Sequence, residues 1–282
     1  MASNKSRKVL WFLTVAVLLL LLSGGTFLFL NQSDATREKV VADKVDKLED
    51  PVSSEDNLKD TPIEGEESYR VDAGTISPKI EKRDGAKAVK YFKAIAGANF
   101  AKYVDGIILI SDKDTDEDAS VIVSDKDPQM WVLRINLGFL DERDGEENLI
   151  YGLVHEYAHI LSLNDTQVDG FVSGECPALE ISEGCANEDS YINQFERKFW
   201  SSLNADPDAE EFGGYYEGRE EDFVTEYAST NAIEDFAETF AQYVLKDTTQ
   251  FEGVAADKVQ FMVDKPDIRD EVSRIRKAVK KL

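Results

Sequence analysis

The stretch Glu146–Leu161, EENLIYGLVHEYAHIL, holds both histidines of this 282-residue chain, His155 and His159. Leu149, Ile150, Leu153, Val154, Tyr157, Ala158 and Leu161 recur at helical spacing, so the stretch predicts a helix with a buried face. Residues four apart lie one above the other on such a helix. The imidazoles of His155-Glu156-Tyr157-Ala158-His159 can therefore reach one Zn²⁺, and Glu156 is placed to take a proton from water activated there. There is no third histidine. Any further metal ligand, and any group that stabilises developing negative charge, must be another residue type.

Catalytic zinc takes three protein ligands and keeps one position open. Two places offer the third. Asp165 lies six residues past His159, the metzincin-like position, but that geometry turns at a glycine three residues after the second histidine, where Ser162 stands. The other place is Asn231–Phe240, NAIEDFAETF. Ile233, Phe236, Ala237, Phe240 and Val244 share one arc of a predicted helix, with Glu234 and Glu238 side by side at its border. One carboxylate can ligate a metal while the next orients a ligating imidazole from behind. A plainer reading is a capping box, with Asn231 as N-cap and Glu234 three residues later.

Around these helices the pattern separates by type. Tyr103–Ile110 and Ser120–Ser124 read as a hairpin, and Gln129–Leu137 as a third strand placed to pair with an extended substrate backbone. The turn Asp112–Asp118 starts like a calcium loop. It has Glu117 where an EF-hand needs Gly and Val123 where it needs Glu, so a solvated turn is expected. Helices are predicted from Ala86 and over Ser190–Leu203, Ala232–Lys246, Val254–Val263 and Ile268–Lys281. Strands followed by helices indicate an α+β domain, spanning 85–282.

The N-terminus is of another kind. Residues 1–8 are short and basic, and Val9–Leu30 is an apolar run of about 22 residues, enough to cross roughly 30 Å of hydrocarbon. Basic residues before it predict a cytoplasmic tail, a single membrane anchor and an extracytoplasmic remainder, with secretion after signal cleavage at Ser23–Gly25 as the alternative. Residues 31–84 are polar and charged and read as a disordered stalk. Cys176 and Cys185, both on the exported side, are expected to form a disulfide. Net charge is −24, nearly all of it on residues 91–282, which disfavours nucleic acid as a partner and favours cationic peptides. A monomer is expected.

The two acidic and histidine motifs together resemble the gluzincin metallopeptidases, and within them the anthrax toxin lethal factor-like group that includes Pro-Pro endopeptidases. That family has a Tyr seven residues before a ligand Glu and an F-A-E-x-F segment after it. Here Tyr227-Ala228-Ser229-Thr230-Asn231-Ala232-Ile233-Glu234 is followed by Phe236-Ala237-Glu238-Thr239-Phe240. The resemblance implies a zincin-like fold, with a small sheet before the H-E-x-x-H helix and a mostly helical C-terminal half. It implies Zn²⁺ on His155, His159 and Glu234, Glu238 behind an imidazole, and Tyr227 facing the oxyanion; Tyr215 and Tyr216 are other phenols nearby in sequence. The expected activity is hydrolysis of peptide bonds outside the cell with Glu156 as general base. A surface protein that keeps zinc for binding or stability without catalysis is the alternative of another class.

Overall fold

The computed structural model describes residues 66–114, 118–171, 174–203, 205–206, 208 and 212–282. The expected tail, anchor and most of the stalk lie outside them. Among the described residues no helix is long and apolar enough to cross a membrane.

The architecture is mixed α+β. Strands β1 (Glu67–Asp72) and β2 (Thr75–Ser77) lead to helices α1 (Arg83–Ala96) and α2 (Ala98–Tyr103). Strands β3 (Val104–Ile110), β4 (Ala119–Val123) and β5 (Trp131–Asn136) follow, then the long helix α3 (Gly145–Leu163). After α3 come three short strands, β6 (Val168–Asp169), β7 (Glu180–Ile181) and β8 (Gly184–Ala186), and helix α4 (Tyr191–Phe199). The chain ends in α5 (Ala232–Leu245), α6 (Gly253–Val263) and α7 (Pro266–Val279).

The main sheet runs β2-β1-β3-β5-β4. This corrects the expected hairpin: β3 pairs in parallel with β5 and antiparallel with β1, and β4 reaches the sheet on the far side of β5. The apolar run Ile107-Ile108-Leu109-Ile110 suits a central strand with neighbours on both sides. The link from Ile110 to Ala119 is also longer than the two to five residues of a tight hairpin, and crosses one strand.

β1 and β2 correct a second expectation, since they lie within 31–84. Only Tyr69 and Val71 are buried in β1, and the other residues, Glu67, Ser68, Arg70 and Asp72, are charged or polar, so the alternation is masked by polar composition. Residues 66–84 therefore belong to the fold. Thr75–Ser77 pairs back on β1, and β1 pairs with β3.

α3 is the centre of the molecule. The sequence pattern indicated one buried face; every residue from Leu153 to Ile160 is buried. The helix is covered by β4, α1 and α5, and a helix apolar or paired on all sides belongs inside a fold. Its start is crowded: a Cβ on Gly145 would sit 2.0 Å from the Phe139 carbonyl oxygen, so only glycine admits this entry. Its end is closed by Asn164, whose side-chain amide donates to the Ile160 and Leu161 carbonyls at 2.8 and 3.0 Å. These would otherwise be among the last carbonyls without intrahelical partners. Tyr157 anchors the helix laterally, accepting from Asn99 Nδ2 at 2.6 Å and donating to Glu271 of α7.

The second sheet, β6-β8-β7, is stapled by the Cys176–Cys185 disulfide, as expected. Ser190 caps α4 by accepting from Asn193 N, and Pro266 opens α7 where its missing N–H costs no helix bond.

Candidate metal centre

α3 and α5 cross so that three donor atoms converge. His155 Nε2 lies 3.0 Å from His159 Nε2 and 3.0 Å from Glu234 Oε2, and His159 Nε2 lies 3.6 Å from the same oxygen. Two of the three groups come from one helix turn and the third from the first turn of α5. Asn231 places that turn: its Oδ1 accepts from the N–H groups of Ile233 and Glu234, each at 2.8 Å. The cap of the plainer reading is thus present, yet the Glu234 carboxylate meets the histidines.

Glu238, one turn further along α5, lies behind His155. Its Oε1 accepts from His155 Nδ1 at 2.7 Å, while its Oε2 accepts from Tyr151 Oη at 2.9 Å and Thr225 Oγ1 at 2.6 Å. With Nδ1 donating, the neutral His155 ring presents a lone pair at Nε2. That lone pair faces a carboxylate oxygen and a second imidazole nitrogen. Such an arrangement needs positive charge at its centre.

The electrostatics agree. Burial alone lowers the His155 pKa, but Glu234 and Glu238 outweigh it and hold it well above the usual histidine value. His159 is also raised against its burial, chiefly by the Glu234 charge. Glu234 is pulled far below the carboxylate range by the two imidazoles, although burial opposes this. The cluster thus draws in protons, and a divalent cation would satisfy the same field.

The donor set fits zinc. For bond lengths of 2.0–2.1 Å, ligand atoms around a tetrahedral ion lie about 3.3 Å apart, and the three observed spacings bracket that value. His, His and Glu with one position left over is a known catalytic composition.

Glu156 points to the sheet. Its Oε2 accepts from the Val121 N–H of β4 at 2.9 Å. Burial pushes its pKa up to about 7, with the two histidines and the Val121 bond pulling downward. Tyr227 sits on the other side, in a single 3-10 turn over Tyr227–Ser229, with its ring 5.7 Å from that of His155. Burial and the charge of Glu234 push its phenol pKa far up, so it stays protonated. The residue is 36% exposed, and its ring stacks on Phe212.

The remaining residues singled out in the sequence lie apart. Asp165 is exposed and 3.8 Å from Lys102, outside the cluster. α3 continues through Ser162, whose Oγ donates back to the Ala158 carbonyl, so the turn that would swing Asp165 inward is missing. Tyr215 packs its ring against Trp200. Sequence reasoning missed Tyr151, Thr225 and Val121. Tyr151 had a signal, standing four residues before His155 on the same helix face. Thr225 and the Val121 N–H reach the site only through tertiary packing.

No protein-family model matches the chain, and neither does any curated protein. Among solved structures it is similar to a provisionally assigned zinc-binding metallo-peptidase from Bacteroides caccae ATCC 43185. Identity is 13% and the TM-score 0.37, over 70% of this chain and 77% of that one. So distant a likeness places no side chain, and the geometry above stands without it.

Proposed function

We propose that this chain is a zinc-dependent endopeptidase of the gluzincin type, allied to the lethal factor-like group. The observation that carries the reading is the convergence of His155 Nε2, His159 Nε2 and Glu234 Oε2 beside a buried glutamate that belongs to none of them. Zinc held there would supply a Lewis acid for the scissile carbonyl and make water acidic enough to deprotonate near neutral pH.

The chain's own groups do the rest. Glu156 accepts a proton from the attacking water and returns it to the leaving amine. The Val121 N–H fixes one of its oxygens and so the direction of the carboxylate. Tyr227 remains protonated and donates to the developing oxyanion, the role a histidine fills in other gluzincins. Glu238, Tyr151 and Thr225 hold His155 in one tautomer.

The substrate strand pairs elsewhere than expected. β5, spanning most of Gln129–Leu137, has β3 on one side and β4 on the other, so its backbone is used. The edge of the sheet next to β5 is β4, and β4 also carries the partner of Glu156. An extended peptide added along β4 would pass the metal centre, pairing on either side of Val121, whose N–H is held by Glu156. Anchoring by residues 9–30, with the domain outside the cell and peptide or protein as partner, completes the proposal.

Glu156→Gln tests it. The variant should bind one zinc per chain while peptide cleavage falls about 10²–10⁴-fold. Cleavage at the parent rate would remove Glu156 from the reaction.

A further inference from the structure

Helix α5 carries a third acidic side chain that the proposed chemistry does not use. Asp235 follows Glu234 but is turned by one helical step into the interior, where it is completely buried. Its Oδ2 lies 2.6 Å from Lys258 Nζ and accepts from Trp200 Nε1 at 2.8 Å, while Oδ1 accepts from Thr239 Oγ1 at 3.3 Å. Lys258, on α6, is 1% exposed. A lysine so deep is uncommon and needs full pairing.

Lys258 has a second partner, and that partner is informative. Its ammonium also donates to the backbone carbonyl of Asp222 at 2.7 Å and stands 3.9 Å above the Phe223 ring. Asp222 and Phe223 open the segment that leads to Thr225 and Tyr227. Thr225 donates to Glu238 and accepts from the Ala228 N–H at 3.1 Å, which shapes the turn bearing Tyr227. One ammonium therefore ties the helix that presents Glu234 and Glu238 to the segment that presents Thr225 and Tyr227.

We infer that Lys258 is a positioning residue, which holds the Tyr227 segment against the His155–His159–Glu234 cluster by joining Asp235 to the Asp222 carbonyl. Its partners are Asp235, the Asp222 carbonyl and the Phe223 ring, none of them a donor of the cluster. The segment's own backbone bonds are local, Ser229 N–H to the Glu226 carbonyl and Thr230 N–H to the Tyr227 carbonyl, each at 3.0 Å, so its place against α5 depends on longer ties such as this one. The catalytic side of the inference rests on the peptidase reading; the mechanical side does not.

The experiment is hydrogen–deuterium exchange of the full chain with zinc added, comparing parent with Asp235→Asn/Lys258→Met. The double variant removes both charges together and leaves no buried ion unpaired. Amides of residues 222–230 should exchange at least fivefold faster, and those of α3 and α1 within twofold of the parent. Unchanged exchange at 222–230, or an equal rise throughout the fold, overturns the inference. If the double variant does not fold, Asp235→Asn/Lys258→Gln, which keeps N–H donors at reduced reach and likewise leaves no buried ion unpaired, is read on the same segment by the same criteria. Where the parent cleaves a peptide, kcat should drop at least tenfold with KM within twofold and zinc content unchanged. A parent that cleaves no peptide would refute the proposed function, yet the exchange measurement would still decide the role of Lys258.

Discussion

Glu238 shows how much of a metal centre can lie behind it. Its two oxygens take hydrogen bonds from α3 twice, through His155 and Tyr151, and from the segment before α5 through Thr225. Three elements thus meet on one carboxylate. Glu238→Ala would remove the acceptor of three donors, the buried His155 Nδ1 and the partly buried Tyr151 and Thr225 hydroxyls, and free the His155 ring to change tautomer. Zinc affinity should fall about 10–100-fold, as is usual when the partner behind a ligating histidine is lost; competition with a fluorescent zinc chelator measures it. An affinity unchanged by the substitution would show that ring orientation is set by packing alone. Of these contacts only the histidine–glutamate pairing was legible in the sequence. The i, i+4 rule puts Glu234 next to Glu238 and Tyr151 next to His155, but nothing local tells Tyr151 which residue on α5 it will meet.

Between elements, the helices were the most legible part. α5, α6 and α7 follow the apolar periodicity to within a few residues, because capping and period act locally: Asn231 and Pro266 start helices where their own chemistry predicts. Sheet order was less legible. β3 and β4 are consecutive in sequence, yet β5 separates them, and strand pairing is decided by which edges remain after collapse. The third ligand is a question of the same scale, since Asp165 and Glu234 differ in whether α3 stops or continues at Ser162. The helix runs on to Leu163. Glu234→Ala should therefore weaken zinc binding by several orders of magnitude, whereas Asp165→Ala, which removes contacts to Lys102 and Tyr103 away from the cluster, should leave it within about twofold; surface ion pairs are worth roughly 0–1 kcal/mol. Zinc content after dialysis compares the two, and the reverse order would point to a different site.

At the scale of the molecule, the metal centre joins the two halves of the fold, with α3 next to the sheet and α5 among the C-terminal helices. Without a cation, Glu234 and two imidazole nitrogens crowd one point. Zinc present at about a thousand times its dissociation constant would add about 4 kcal/mol to stability. At roughly 2–4 °C per kcal/mol for a domain of this size, chelation should lower Tm on the order of 10 °C. Calorimetry with and without chelator checks this, and a melting temperature indifferent to chelation would mean that the centre binds no structural or catalytic ion. The disulfide lies apart from this coupling. It closes a loop of separation 9 within the small sheet and should survive metal removal.

The position of β4 has a consequence for the protein in bulk. On the proposed reading, a border strand that receives a peptide can equally receive the same strand of another copy, and Ile122 on β4 is 52% exposed. Two copies docking in this way would each block the other. The net charge of −24 opposes such an encounter at low ionic strength. At 1 M salt, where the screening length shrinks to about 3 Å, that protection is lost. Sedimentation should then show reversible dimers that Ile122→Lys abolishes, and their absence would mean that the border is shielded by something other than charge. Where the dimers form, the acidity of the chain acts as a colloidal guard that keeps the β4 border of each molecule from being occupied by its neighbour.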